Sequence, residues 1–296
     1  MISQRRREQA IGAALVAPTV LLFAALIFYP MLQALFLSLH RVSTLTLRMQ
    51  WVGLANFQSL LADPAFLTSF GNTIVWTLGA VTLQLGLGVG VALLLNGRLV
   101  GRSLARGLVL FPYLLPTAVA VLVWRWLFND LYGLVNHVLM SLRLIDQPIA
   151  WLSQSPSAMI AVILVGTWKF FPFVVIAVLA RLQSIPHSLY EAARIDGASR
   201  WAQFWDITLP QLANVLAVVV LLRSIWDFKE FDLIYLMTGG GPGITTQTLP
   251  ILVYREAFQL LSFGRGAAVA VMMFVFMLLF FILHLWGTRR TEPDGR

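Results

Sequence analysis

The sequence predicts an all-α integral membrane protein with six transmembrane helices, and three observations carry that reading. Mean hydropathy is +0.81, with 59% of the residues hydrophobic. Charged residues make up 11% of the chain, against about a quarter in a soluble globular domain. The apolar residues also gather into six runs, each near or above the roughly 20 residues that a helix rising 1.5 Å per residue needs to cross a core about 30 Å thick.

The first run covers about 10–39, behind Arg5, Arg6 and Arg7. It extends well past the roughly 7–15 apolar residues of a secretory signal, so it is expected to stay as an uncleaved first span, with Pro18 and Pro30 as sites of kinking. The other runs cover about 71–95, 107–128, 157–180, 212–237 and 264–286. Between them, the stretches "WVGLANFQSLL" (51–61) and "LYGLVNHVLMSL" (131–142) read as amphipathic pieces at the outer interface, with Trp51 and Phe57 as anchors. No connection is large enough for a separate soluble domain, which predicts a single transmembrane domain over 1–296.

Orientation follows from the distribution of Lys and Arg. One side carries Arg5, Arg6, Arg7, Arg98, Arg102, Arg106, Arg181, Arg194, Arg200, Arg289, Arg290 and Arg296; the other carries Arg41, Arg48, Arg143, Arg255 and Arg265. The richer side is the cytoplasmic one, so both termini and the loop 181–211 are expected in the cytoplasm. The net charge of +8 therefore reads as helix orientation against a lipid bilayer, not as a nucleic-acid footprint.

Several chemistries are excluded. The chain has no Cys, which removes disulfides and thiolate sites. Its lysines, in "TWKFF" and "DFKEF", do not follow a glycine, so no phosphate-binding G-x-x-x-x-G-K-[ST] loop is present. "GGGPG" (239–243) lacks that lysine and reads as a turn. His40, His137, His187 and His284 stand apart with no metal-ligand spacing, and no G-x-S-x-G motif occurs. No metal and no catalytic residue is expected, and no cofactor is expected on this chain.

Against this apolar background, "EAARIDGASRWAQFWDITLP" (191–210) is conspicuously polar. Pro186 suits a helix start and Gly197 a left-handed C-terminal cap. Ser199 can cap a second short helix that ends before Pro210, where the fifth span is expected to begin. Leu189, Ala192, Ala193 and Asp196 share one helical sector, and Trp201, Phe204 and Trp205 share another. A loop far longer than the two to eight residues that usually join helices, with large aromatics and a charged edge, has the character of a docking surface.

The passage resembles the EAA loop of permease subunits of bacterial ABC importers. Glu191, Ala192, Ala193, Asp196, Gly197, Ala198, Phe204, Ile207, Leu209 and Pro210 match its E-A-A, D-G-A and I-x-L-P pattern. The likeness continues in "APTVLLFAALIFYP", "WVGLANF", "FPYLLPTAVAVLVWRWLFN" and "FDLIYLMTGGGP", and is nearest to the carbohydrate-uptake branch of the maltose, trehalose and glycerol-phosphate type. The resemblance implies a type I importer permease fold in a bacterial inner membrane. It also implies a second, homologous permease, two cytoplasmic ATPase subunits holding ATP and Mg, and an extracytoplasmic sugar-binding protein. Glu191, Ala192, Ala193, Asp196, Gly197, Ala198, Trp201 and Phe204 would then form the coupling element.

Charges within spans point to function by default, because hydrocarbon makes them costly. Lys169 stands in the fourth span beside Trp168, and the fifth carries Arg223, Asp227, Lys229, Glu230 and Asp232 around Trp226. The positive and negative members are equal in number, so mutual neutralisation is one reading. The other is a polar cavity lining, in which carboxylates bond sugar hydroxyls and aromatic faces stack on sugar rings. The two readings do not exclude each other. The whole therefore reads as the transmembrane subunit of an ATP-driven sugar importer. A glycerol-3-phosphate permease of the same class, or a self-sufficient secondary transporter with a proton relay in the fifth span, are the alternatives.

Overall fold

The computed structural model describes residues 2–42, 48–97 and 100–289. Arg98, Arg290 and Arg296, which count towards the orientation, lie outside the described residues. Helices dominate, and among the described residues five are long and apolar enough to cross a membrane, or six if a pair bent by 96° counts as one span. The chain divides into two compact units, residues 1–63 with 252–275 and residues 64–251 with 276–296.

In the first unit, Ile2–Phe23 continues through a π-helical turn, Ala24–Phe28, into Tyr29–Ser38. Pro18 lies inside the helix without ending it. Pro30 follows directly on the widened turn, which makes room for a ring that would otherwise clash with a carbonyl one turn back. The stretch Ala14–Ser38 is exposed along almost its whole length within the chain. A short antiparallel hairpin follows, His40–Val42 with Met49–Trp51, pairing His40 with Trp51. The piece expected as one amphipathic segment over 51–61 is thus the end of this hairpin and a short helix, Ala55–Leu61. Buried Asn56 donates to the carbonyls of Ser38 (2.8 Å) and His40 (3.0 Å), tying helix to hairpin. Arg265, at the start of the last helix Phe263–Arg289, bonds Asp63 at 2.6 Å and Glu256 at 3.1 Å.

In the second unit the second span is Pro64–Asn96 and the fourth is Ser157–Ser184. They pack through glycines. A Cβ on Gly88 would stand 2.5 Å from Val174 Cβ, and one on Gly166 would stand 2.3 Å from Trp76 Cη2. Small residues let helix backbones approach where lipid gives no hydrophobic drive.

The third span, expected as one helix over 107–128, is broken. Arg102–Leu114 and Thr117–Leu127 meet at 96°. Leu115 precedes Pro116 and takes an extended conformation (φ −68°, ψ 138°), as the proline ring requires of its neighbour. The fifth span also departs from expectation at both ends. It does not start after Pro210: a helix runs unbroken over Arg200–Phe228, passing the proline through a π-helical turn at Phe204–Thr208. At the other end it stops at Phe228, short of 237, and a separate helix spans Asp232–Thr238. Glu230 Oε1 accepts from Leu233 N at 2.9 Å, capping the new helix and favouring the break.

The glycine-rich turn that follows has Gly239, Gly240 and Gly243 at positive φ. Asn72 holds it by donating to the carbonyls of Ile244 (2.8 Å) and Gln247 (3.0 Å). In the connection between the third and fourth spans Leu134–Ser141 forms the expected helix, where Asn136 Oδ1 accepts from Trp151 Nε1 at 2.9 Å. Arg125 is exposed and reaches the Leu236 carbonyl at 3.4 Å.

Gly166→Ala is expected to destabilise the protein by about 1–3 kcal/mol through overpacking against Trp76, outweighing alanine's helix propensity. Gly86→Ala, in the same helix pair but with nothing within 4 Å of its Cβ, should be neutral or slightly stabilising. Thermal unfolding of both variants in detergent checks the contrast.

Candidate functional site

Two regions of the second unit concentrate the residues singled out by the sequence. The first is the loop between the fourth and fifth spans. His187–Ile195 forms a helix capped by Asp196, and Gly197 takes φ +80°. The Ala198 amide then returns to the Ala193 carbonyl at 2.8 Å. A residue with a Cβ is strained at such a φ, which is why glycine stands there. Ser199 Oγ accepts from Ala202 N at 3.2 Å and opens the next helix.

Side chains lock the two helices together. Tyr190 Oη bonds Thr208 Oγ1 at 3.0 Å, and Gln203 Nε2 donates to the Ala198 carbonyl at 3.0 Å. Arg181, at the end of the fourth span, bonds the carbonyl of Gln211 at 2.9 Å and its Oε1 at 2.6 Å. Trp201, Phe204 and Trp205 pack on one another with ring centroids 5.4–6.2 Å apart.

What this ordered element leaves outside is apolar. Ile195 is 87% exposed and Trp201 70%, and Glu191, Ala192, Asp196 and Gly197 are exposed beside them. Ala193, Ala198 and Phe204 are half-buried and support that surface. A pre-formed apolar face rimmed by charge is suited to a protein groove.

The second region lies at the far end of the Arg200–Phe228 helix. A cavity of about 350 Å³ is lined by Tyr113, Phe170, Arg223, Trp226, Lys229, Glu230, Phe231 and Asp232. Its size falls within the range of small-molecule sites, about 300–1,000 Å³. Arg223 is 3% exposed and is held on several sides. Its Nε donates to Gln84 Oε1 at 2.7 Å, and its Nη2 forms an ion pair with Asp227 one helical turn on. Its guanidinium carbon lies 4.7 Å from the Phe170 ring centre and 5.6 Å from that of Trp226. Asp227 Oδ2 and Gln84 Nε2 are buried with no hydrogen-bond partner among the described residues. The Asp227 carbonyl takes the Trp76 indole N–H at 2.8 Å.

A family model described as "Binding-protein-dependent transport system inner membrane component" matches residues 84–293. The chain belongs to that family. It is 38% identical over 279 residues to the trehalose/maltose transport system permease protein MalF of Thermococcus litoralis, covering 94% of each chain. It is 34% identical over 292 residues to the inner membrane ABC transporter permease protein YcjO of Escherichia coli, covering 98% of this chain and 97% of that one. In fold it is similar to a chain in the crystal structure of a bacterial ABC transporter involved in the import of the acidic polysaccharide alginate. The TM-score there is 0.85, with 22% identity and 99% of each chain covered.

The chain is accordingly a multi-pass permease component of the inner membrane, part of a binding-protein-dependent importer, and not an enzyme. Among the described residues no group of His, Asp and Glu is arranged to hold a metal ion.

Within this permease the predicted path residues separate. Arg223, Trp226, Lys229 and Glu230 line the cavity. Lys169, Trp168 and Asp227 do not. Buried Lys169 donates to the Leu115 carbonyl at 2.6 Å, satisfying the end of the broken third span. Trp168 packs edge-on against Trp124 at 5.4 Å. Asp227 sits behind the wall, paired with Arg223, while Arg223, Trp226, Lys229 and Glu230 form part of the cavity surface. Sequence reasoning missed Tyr113, Phe170 and Gln84. Of these, Gln84 carried a signal, as a lone amide in an apolar span.

Asp227→Asn should leave Arg223 as a buried cation without its counter-ion and cost about 3–5 kcal/mol. Replacing both partners, Arg223→Met with Asp227→Leu, should recover most of that loss. The yield and thermal stability of the purified assembly test the comparison.

Proposed function

We propose that this permease component carries a neutral sugar and couples its passage to ATP hydrolysed elsewhere. One observation carries the coupling reading: Trp201 and Phe204 of the loop and Arg223 and Trp226 of the cavity wall lie on one continuous helix, Arg200–Phe228. Trp201 and Arg223 lie about 33 Å apart along it at 1.5 Å per residue. A movement imposed on the loop is therefore delivered to Arg223 and Trp226 as a rigid-body shift.

In this reading Glu191, Ala192, Ala193, Asp196, Gly197, Ala198, Trp201 and Phe204 seat in a groove of an ABC ATPase subunit. Glu191 and Asp196 make charge-assisted bonds at its rim, and Trp201 supplies the anchor. Two such ATPase subunits, holding ATP and Mg, serve the transporter, and a second, homologous permease supplies the other half of the path. The whole of 1–296 acts as one permease domain with both termini in the cytoplasm. The excess of arginine on that side supports this orientation.

A sugar cargo is supported by the cavity chemistry and by the names of relatives. Tyr113, Phe170, Trp226 and Phe231 offer ring faces, while Glu230 and Asp232 offer hydroxyl acceptors. A phosphate-bearing cargo such as glycerol-3-phosphate is the second reading, carried by Arg223 and Lys229 on the same wall. Asp227 already neutralises Arg223, and Glu230 and Asp232 repel an anion, so the neutral sugar is favoured.

Glu191→Ala should weaken ATPase docking. Gly197→Pro cannot hold φ +80° and should lose coupling outright. Both are expected to hydrolyse ATP without matching uptake in proteoliposomes, and normal uptake in both would remove the coupling role. Trp226→Ala should raise the substrate concentration needed for half-maximal uptake about tenfold if a stacking face worth 1–1.5 kcal/mol is lost. Comparing labelled disaccharide with labelled glycerol-3-phosphate in that assay separates the two cargo readings.

A further inference from the structure

Away from the cavity and the loop surface, two arginines share one neutral acceptor. Arg102 and Arg106 stand one turn apart at the start of the Arg102–Leu114 helix, facing the end of the fourth span. With the Gln183 amide turned to satisfy both, its oxygen accepts from Arg106 Nη2 at 2.6 Å and from Arg102 Nη2 at 3.0 Å. Two guanidinium groups are thus held against a single oxygen, and among the described residues neither pairs with a carboxylate. Each guanidinium has five N–H donors. The Nε of each is buried with no acceptor.

Like charges at that spacing repel, and they repel more strongly where the local dielectric is low. An amide oxygen satisfies hydrogen bonds but cancels no charge. A monovalent anion with several oxygens can accept from both forks at once and cancel part of their charge.

Directly beside the pair lies an apolar groove of about 190 Å³, with Arg106 and Gln183 at its polar edge. Leu95, Val175 and Leu179 form a buried floor, and Ile176, 48% exposed, forms the rim. A free anion has no use for such a groove, whereas its apolar lining suits a segment of an acyl chain. We infer that Arg102, Arg106 and the groove beside them bind an anionic glycerophospholipid, with its phosphate on the two arginines and one acyl chain along Leu95, Val175 and Ile176. Basic pockets between membrane helices on the cytoplasmic side bind such headgroups in general. Assignment to the cytoplasmic leaflet rests on the orientation proposed above, but the binding does not. Because the fourth span ends at Ser184, beside Gln183 and just before the loop helix opens at His187, a lipid here would brace the base of that loop.

The test uses the assembled transporter in a nonionic detergent, titrated with dioleoyl phosphatidylglycerol or dioleoyl phosphatidylcholine and read by native mass spectrometry. Arg102→Gln with Arg106→Gln is expected to weaken phosphatidylglycerol binding about thirty-fold, roughly fivefold per arginine, and to leave phosphatidylcholine unchanged. Arg102→Lys with Arg106→Lys should keep most of the affinity, since the charge is retained. Unchanged phosphatidylglycerol affinity in the double Gln variant overturns the proposal. So does inorganic phosphate that competes as well as the lipid, which would mark a free-anion site. Loss of the ATPase subunits with lipid binding intact also overturns it, since the pair would then dock protein. If the Gln variant does not assemble, Ile176→Trp fills the groove while leaving both arginines. It should lower phosphatidylglycerol binding, and unchanged affinity there is equally decisive against the site. The readout needs neither ATP nor cargo, so its failure leaves the coupling reading standing.

Discussion

In hydrocarbon, an unpaired backbone group or a lone charge has no water to turn to, and this demand shapes the breaks in the third and fifth spans. The third span breaks at Leu115–Pro116, and the carbonyl freed at Leu115 is taken by the Lys169 ammonium. The fifth span stops at Phe228, and Glu230 captures the amide of Leu233 to start the next helix. Before Pro30 and Pro210 the helix widens into a π-helical turn and continues. The same demand explains Arg223, whose charge is met by Asp227, by Gln84 and by two aromatic faces.

These local solutions have a mechanical consequence. Because Pro210 is passed and not obeyed, the aromatic surface at Trp201 and Phe204 is rigidly continuous with the wall at Arg223 and Trp226. Because the fifth span ends soon after that wall, Lys229, Glu230 and Asp232 lie on a turn beside it, where their polar groups face the cavity. The break thus brings the polar groups of Lys229, Glu230 and Asp232 to the cavity surface, and the cap from Glu230 offsets part of its cost. The glycine contacts of Gly88 and Gly166 supply a close-packed second and fourth span behind it.

Legibility in the sequence differed between the two candidate regions for a physical reason. The loop could be read almost residue by residue, since Gly197 and Ser199 act through backbone bonds to near neighbours, and helix caps are local. The cavity could not. Arg223 and Asp227 announced themselves as charges in an apolar run, but Tyr113, Phe170 and Gln84 reach the same place from the second, third and fourth helices. No spacing along the chain records that meeting. Trp168 shows the converse: it adjoins Lys169 in sequence, yet helical geometry turns it towards Trp124.

What the sequence by itself determined is what depends on composition and short range. That covers the membrane class, the places of the long apolar helices, the division of the loop at Gly197 and the family it resembles. Hydropathy sums over a run, and a cap needs only its own turn, so neither waits on packing. Tertiary structure decided which prolines break a helix and which are absorbed. Pro116 breaks its span where Lys169 stands ready to satisfy the exposed carbonyl, while Pro210 lies in a helix whose start is pinned by Tyr190 and Arg181. It also decided which buried charges pair and which face the cavity. Those outcomes turn on partners many residues away, and in a medium without water the partner, not the residue, sets the cost.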